Sequence, residues 1–189
     1  MEKIPVKIVE LTSPSGKSAV DVMIDVFDYN EIENAQDKIR IFKKGYFDLV
    51  KKAKKILPKK KADRKTLHFW KIGKMLYDFN KSIENQFEIT NYNSAIVRDF
   101  DLYQSSQVGH VIQFGEFFKK KEITDTIPMS TYLELIWKAN LLKEKGVFEK
   151  EKIRLLERAK RKKLPGHKEY REELNALVSS KTKVSKKVK

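Results

Sequence analysis

Residues 93–121 read NSAIVRDFDLYQSSQVGHVIQFGEFFKKK, and their apolar spacing decides the class of fold. Ala95, Ile96, Val97 and Phe100 follow the helical period, 101–104 is a short turn, and Ser105 or Ser106 can cap a further helix reaching 121. On that helix Val108, Val111, Ile112, Gly115 and Phe118 share one side. The spacing therefore predicts two short helices around a tight turn, each burying one face.

Outward from this stretch the pattern stays helical. Thr66 is a candidate N-cap for a helix carrying Leu67, Trp70, Ile72, Gly73, Leu76 and Phe79 at buried spacing, followed by a polar stretch, 80–88. Further upstream, Ile32, Ala35, Ile39, Phe42, Phe47, Val50, Ala53 and Leu57 define a long helix ending at Pro58, with Gly45 as a candidate kink. Only the opening alternates with period two: Val6, Ile8 and Leu11, then Val20, Val22, Ile24 and Val26, with the turn residues Ser-Pro-Ser-Gly at 13–16 between them. Downstream, TIPMS at 126–130 announces a helix over 131–144 that Gly146 closes. A charged helix over 148–163 is stopped by Pro165 and Gly166, and a short one covers 168–178. The expected fold is mainly α: a β-hairpin plus basic helix over 1–62, joined through PKKKADRK at 58–65 to a helical body over 63–180, with a flexible basic tail at 181–189.

A chain of 189 residues can bury one real core but not two enzyme domains. The first residues carry charges where a signal peptide needs an apolar run, and no stretch approaches the roughly 20 apolar residues of a membrane span, so a cytoplasmic protein without a membrane partner is expected. The absence of cysteine excludes disulfides, zinc ribbons and thiol nucleophiles; three scattered histidines argue against an imidazole metal site, so neither metal nor cofactor is expected.

Forty-one Lys and Arg against 26 Asp and Glu give a net charge of +15, the footprint of a protein that meets polyanions. Lysine-rich composition also serves solubility or heat stability, but there Glu ordinarily rises with Lys. The excess is clustered. Lys51, Lys52, Lys54, Lys55, Lys59, Lys60, Lys61, Arg64 and Lys65 face a single acid, Asp63, within 51–65. Arg158, Lys160, Arg161, Lys162 and Lys163 form a second cluster, and the last nine residues hold five lysines. Between them, 82–118 has one base, Arg98, against five acids. Clustered charge suffices for phosphate neutralisation, which needs no fixed geometry; a solvated helix face is the plain alternative.

The segment LHFWKIGKMLYDF at 67–79 resembles the opening of the helical N-terminal domain of YhcG-like bacterial proteins, an aromatic and a charged residue before Ile-Gly-Lys. Residues 100–118 and the run PMSTYLEL at 128–135 are similar to later parts of that domain, so the resemblance spans 66–144. It implies a winged-helix-like body with a helix-turn-helix at about 93–121 and a DNA-binding role. The PD-(D/E)XK nuclease module that commonly follows in the family is not recognisable here, and the family's Gly-Phe-Ser before the third helix is missing.

If 105–121 is a recognition helix, Ser106, Gln107, His110 and Gln113 lie off its apolar side, and Gln suits the edge of adenine. Any amphipathic helix presents such a polar face. Lys119, Lys120 and Lys121 would then add phosphate contacts or complement the helix dipole. Trp70, Trp137, Tyr92 and Tyr132 fall at apolar spacing and are expected in the core. The expected function is binding of nucleic acid, double-stranded DNA rather than RNA, mainly through phosphates, without a catalytic residue. The rival is a protein-interaction subunit of a restriction or mobile-element system, pairing as a homodimer or with another protein. A metal-dependent nuclease comes third: Asp21 with Asp25, or Glu149 and Glu151 with Lys152, would have to converge on one ion, whereas Asp21 and Asp25 sit naturally on a strand's polar face.

Overall fold

The computed structural model describes residues 3–12, 18–24, 29–58, 60, 63–100, 102 and 105–179. The fold is mainly α, as the periodicity predicts. Strands β1 (Ile4–Thr12) and β2 (Ser18–Ile24) pair antiparallel, with Val6 opposite Ile24 and Thr12 opposite Ser18. The expected turn at 13–16, Val26, and the tail at 181–189 lie outside the described residues. A third strand, β3 (Phe87–Thr90), falls in and just after the stretch read as polar, and pairs parallel to β1 with Ile4 opposite Phe87, giving the order β2-β1-β3. Its burial alternates, Phe87 in and Glu88 out, but four residues are too few to show a period of two in the sequence.

Helix α1 (Tyr29–Ile56) is continuous through Gly45, about 42 Å long at 1.5 Å per residue. Gly45 instead marks its contact with α2 (Thr66–Ile83): a Cβ there would stand 3.2 Å from the Phe79 ring. Phe42 and Tyr46 meet the same ring at 5.7 and 6.2 Å. The short connection over 57–65 makes α1 and α2 antiparallel neighbours. Thr66 is not the cap of α2. It is the first helical residue, and its hydroxyl donates to the Ile127 carbonyl at 3.1 Å, while the Lys65 N–H is taken by Nδ1 of His68 at 2.9 Å.

After β3 the chain reverses at Asn91, whose φ of 58° is one that Asn tolerates better than most residues, and enters α3 (Tyr92–Asp99). Buried Asp99 accepts the Tyr46 hydroxyl at 2.6 Å and a two-pronged bond from Arg98, fixing α3 to α1. Helix α4 (Ser106–Phe117) crosses α2 with the two backbones in contact. A Cβ on Gly73 would lie 1.9 Å from the Val111 carbonyl oxygen, and one on Gly115 would lie 2.1 Å from the Lys74 nitrogen, so only glycine fits at either place. Then come a 3-10 turn at Lys120–Glu122, α5 (Met129–Trp137), α6 (Ala139–Glu144), α7 (Phe148–Lys160) and α8 (His167–Ser179). The single helix expected over 131–144 is two helices parted at Lys138, and α7 stops three residues early, with Lys162 at φ 55°. Gly146 closes α6 at φ 67°, as its position predicts.

Two apolar clusters fill the interior. Val6, Phe42 and Tyr46 join Ile72, Leu76, Phe100 and Val108 in the first. Phe114, Phe118, Tyr132, Leu135, Phe148, Leu155 and Tyr170 form the second. The first cluster ends at Val111 and the second begins at Phe114, so α4 serves both, and Val6, Phe42 and Tyr46 share the first with Ile72 and Leu76 of α2.

Candidate nucleic-acid interface

The four lysines of the last turns of α1 follow from where its core face lies. Ala53 is wholly buried, and Leu49 and Val50 are buried beside it, so Lys51, Lys52, Lys54 and Lys55 occupy the opposite, exposed side. They also complement the negative end of the helix. Because α1 and α2 are antiparallel, these lysines stand at the same end as exposed Lys60 and Lys65. Arg64 is half-buried, and Lys59 and Lys61 lie outside the described residues.

That end of α2 is tied to a second basic element. The helix expected to reach 121 ends at Phe117; Phe118 is extended at φ −116°, ψ 137°. The reason is tertiary. The Trp70 indole N–H donates to the Phe118 carbonyl at 2.7 Å and draws it out of the helix. Lys119, Lys120 and Lys121 consequently sit in and before a 3-10 turn, all three exposed. The turn is held from below. Glu122 accepts the Lys119 N–H at 2.6 Å, and its own carbonyl takes the Tyr132 hydroxyl at 2.9 Å. Burial pushes the Tyr132 phenol up to about 12, so it stays a donor near neutrality. Lys152, only 6% exposed, donates to the Phe117 carbonyl at 3.1 Å and pairs with Glu149 at 2.9 Å and Glu122 at 3.6 Å. With Thr66 bonded to Ile127 and Trp70 to Phe118, the chain over 118–127 runs along the first turns of α2. Nine exposed lysines, 51, 52, 54, 55, 60, 65 and 119–121, thus flank one end of that helix, none with an ion-pair partner among the described residues.

The other predicted residues are placed elsewhere. Arg158 is bound in an ion-pair network, at 2.8 Å from Glu173, which also takes Arg154. Lys160 ends α7, about 12 Å along that helix from Lys152, and it and the following Arg161, Lys162 and Lys163 are exposed. Gln107, His110 and Gln113 are half-buried on α4, which packs on α2, α3 and α5 and carries no lysine or arginine. The His110 ring meets Trp137 edge-on at 5.5 Å, and burial pulls its pKa below the usual imidazole value. Glu149 and Glu151 spend their carboxylates on Lys152 and Arg154. No group of three or more His, Cys, Asp or Glu that could hold a metal occurs among the described residues. No helix there is long and apolar enough to cross a membrane.

Two features escaped sequence reasoning. Buried Lys152 beneath the turn reads in sequence as one more charge of a charged helix. Trp137, expected in the core, is 48% exposed; its apolar spacing with Leu133 and Leu141 gives no sign that α5 breaks immediately after it. The chain matches no protein-family profile, no characterised protein and no solved structure.

Proposed function

We propose that this protein binds nucleic acid, duplex DNA foremost, through phosphate contacts made by the lysines at the joined ends of α1 and α2 and in the 119–121 turn. The observation that carries this reading is the nine exposed lysines that have no acidic partner among the described residues, carried by the end of α1, by the segment leading into α2 and by the turn that two tertiary hydrogen bonds hold to the first turns of α2. Like charges so gathered repel one another, and a polyanion relieves that repulsion while its condensed counterions are released. In this reading α4 serves as a framework, since its polar side chains are partly covered, and affinity comes from the lysines around it. The exposed cluster at 160–163 would extend the contact along the backbone. Anisotropy titrations with labelled duplex DNA, single-stranded DNA and duplex RNA test the proposal: binding strongest to duplex DNA and weakened by lysine neutralisation is expected, and absence of binding to all three at low salt contradicts it.

A further inference from the structure

On α5, Glu134 is 2% exposed and wholly committed to one surface residue. It accepts Nε–H and Nη2–H of Arg171 at 2.9 and 2.6 Å, a two-pronged pair that fixes the plane of the guanidinium. Burying a carboxylate is unfavourable unless its partner is well placed, so this pair holds one side chain in one position. What it holds Arg171 against is Trp137: the guanidinium carbon lies 5.6 Å from the indole centroid, and His110 closes a further side of the ring at 5.5 Å. Trp137 as a whole remains 48% exposed. Of the five guanidinium N–H donors only two are used by Glu134, so three remain on a guanidinium held over the indole.

A rigid aromatic surface with oriented spare donors suits a flat group that carries hydrogen-bond acceptors on its rim. We propose that Trp137, Arg171 and His110 seat one unpaired nucleobase: the base stacks on the indole and its carbonyl oxygens or ring nitrogens accept from Arg171. Base-on-aromatic stacking of this kind is indifferent to sequence because every base has a π face. The seat rests on the reading of the chain as a nucleic-acid binder; it adds to the phosphate contacts a second contact wherever the bound strand offers an exposed base, as at ends, bulges or single strands.

The chain has two tryptophans, and they report on the two surfaces separately. Trp70 is bonded to the carbonyl that precedes the lysine turn, and Trp137 is the proposed seat. In the Trp70→Phe protein, a thymidine oligomer is expected to quench Trp137 emission with the same saturation that anisotropy records, while a blunt duplex of equal length leaves it nearly unchanged. Trp137→Ala should weaken oligomer binding about tenfold and duplex binding less than twofold. Because the second comparison needs no change at Trp70, it stands even if Trp70→Phe disturbs the fold. Unchanged Trp137 emission with the oligomer bound, or equal losses for oligomer and duplex in Trp137→Ala, overturns the seat while leaving the lysine surface intact, as a protein-docking role for Trp137 and Leu141 would require. Failure of the unaltered protein to bind either nucleic acid removes the proposed function and the seat together.

Discussion

At Gly73 and Gly115 two helices touch backbone to backbone, and the chemistry there permits no side chain at all. Gly115→Ala would place a methyl group 2.1 Å from the Lys74 nitrogen, and relief requires α2 and α4 to move apart along their whole crossing. Overpacking of a core typically costs about 1–3 kcal/mol, and a clash with backbone belongs at or above the upper end. Urea unfolding should show a loss of about 3 kcal/mol for Gly115→Ala, against a change within about 0.5 kcal/mol for a substitution of exposed Lys120. His110 gives a prediction of a different sort. Its folded pKa lies below its unfolded value because burial against Trp137 disfavours the imidazolium. Below the unfolded pKa of about 6.5 the unfolded chain therefore binds more protons than the folded one, and stability is lost as pH falls through that value toward the lower folded pKa. The melting temperature of the unaltered protein should drop over this window more than that of His110→Gln. Equal pH dependence of the two would contradict the assignment.

Among elements, the 119–121 turn shows best what sequence could and could not reveal. The basic residues, the helix before them and the helix after were all legible from period and composition. That the helix stops at Phe117 was not, because the cause is an indole 48 residues away in the chain. Nor was Lys152 legible, since burial of a lysine depends on the carbonyl and the two glutamates that happen to surround it. β3 went unseen for a similar reason: its pairing partner lies more than 80 residues upstream, and its own four residues carry one buried aromatic. By contrast, the close of α6 at Gly146 was visible because a positive φ is a local demand. If Lys152 holds the turn, Lys152→Met should speed trypsin cleavage after 119–121 several-fold without altering far-ultraviolet dichroism, and Lys152→Arg should restore most of the protection. Unchanged cleavage would mean that the turn is held by Glu122 and Tyr132 alone.

At the scale of the whole molecule, exposed lysines cluster among the described residues where α1 ends and α2 begins, while at the other end of α2 Lys81 is paired with Glu84. Sequence clustering announced the excess; the fold adds that the described lysines of 51–65 lie on the end of α1 and the segment leading into α2, that those of 119–121, more than 50 residues on, follow the segment bonded to the first turns of α2, and that 158–163 lies at the end of α7. The most direct test of that account is the salt dependence of duplex binding. If about six of the nine lysines meet phosphates, the logarithm of the association constant should fall against that of salt concentration with a slope of about −5. Replacing Lys51, Lys52, Lys54 and Lys55 by alanine should bring the slope toward zero by about one for each contact removed, and replacing Lys119, Lys120 and Lys121 should do the same. A slope that is shallow in the unaltered protein, or that neither set of substitutions changes, would contradict a phosphate-binding surface at this end of the molecule.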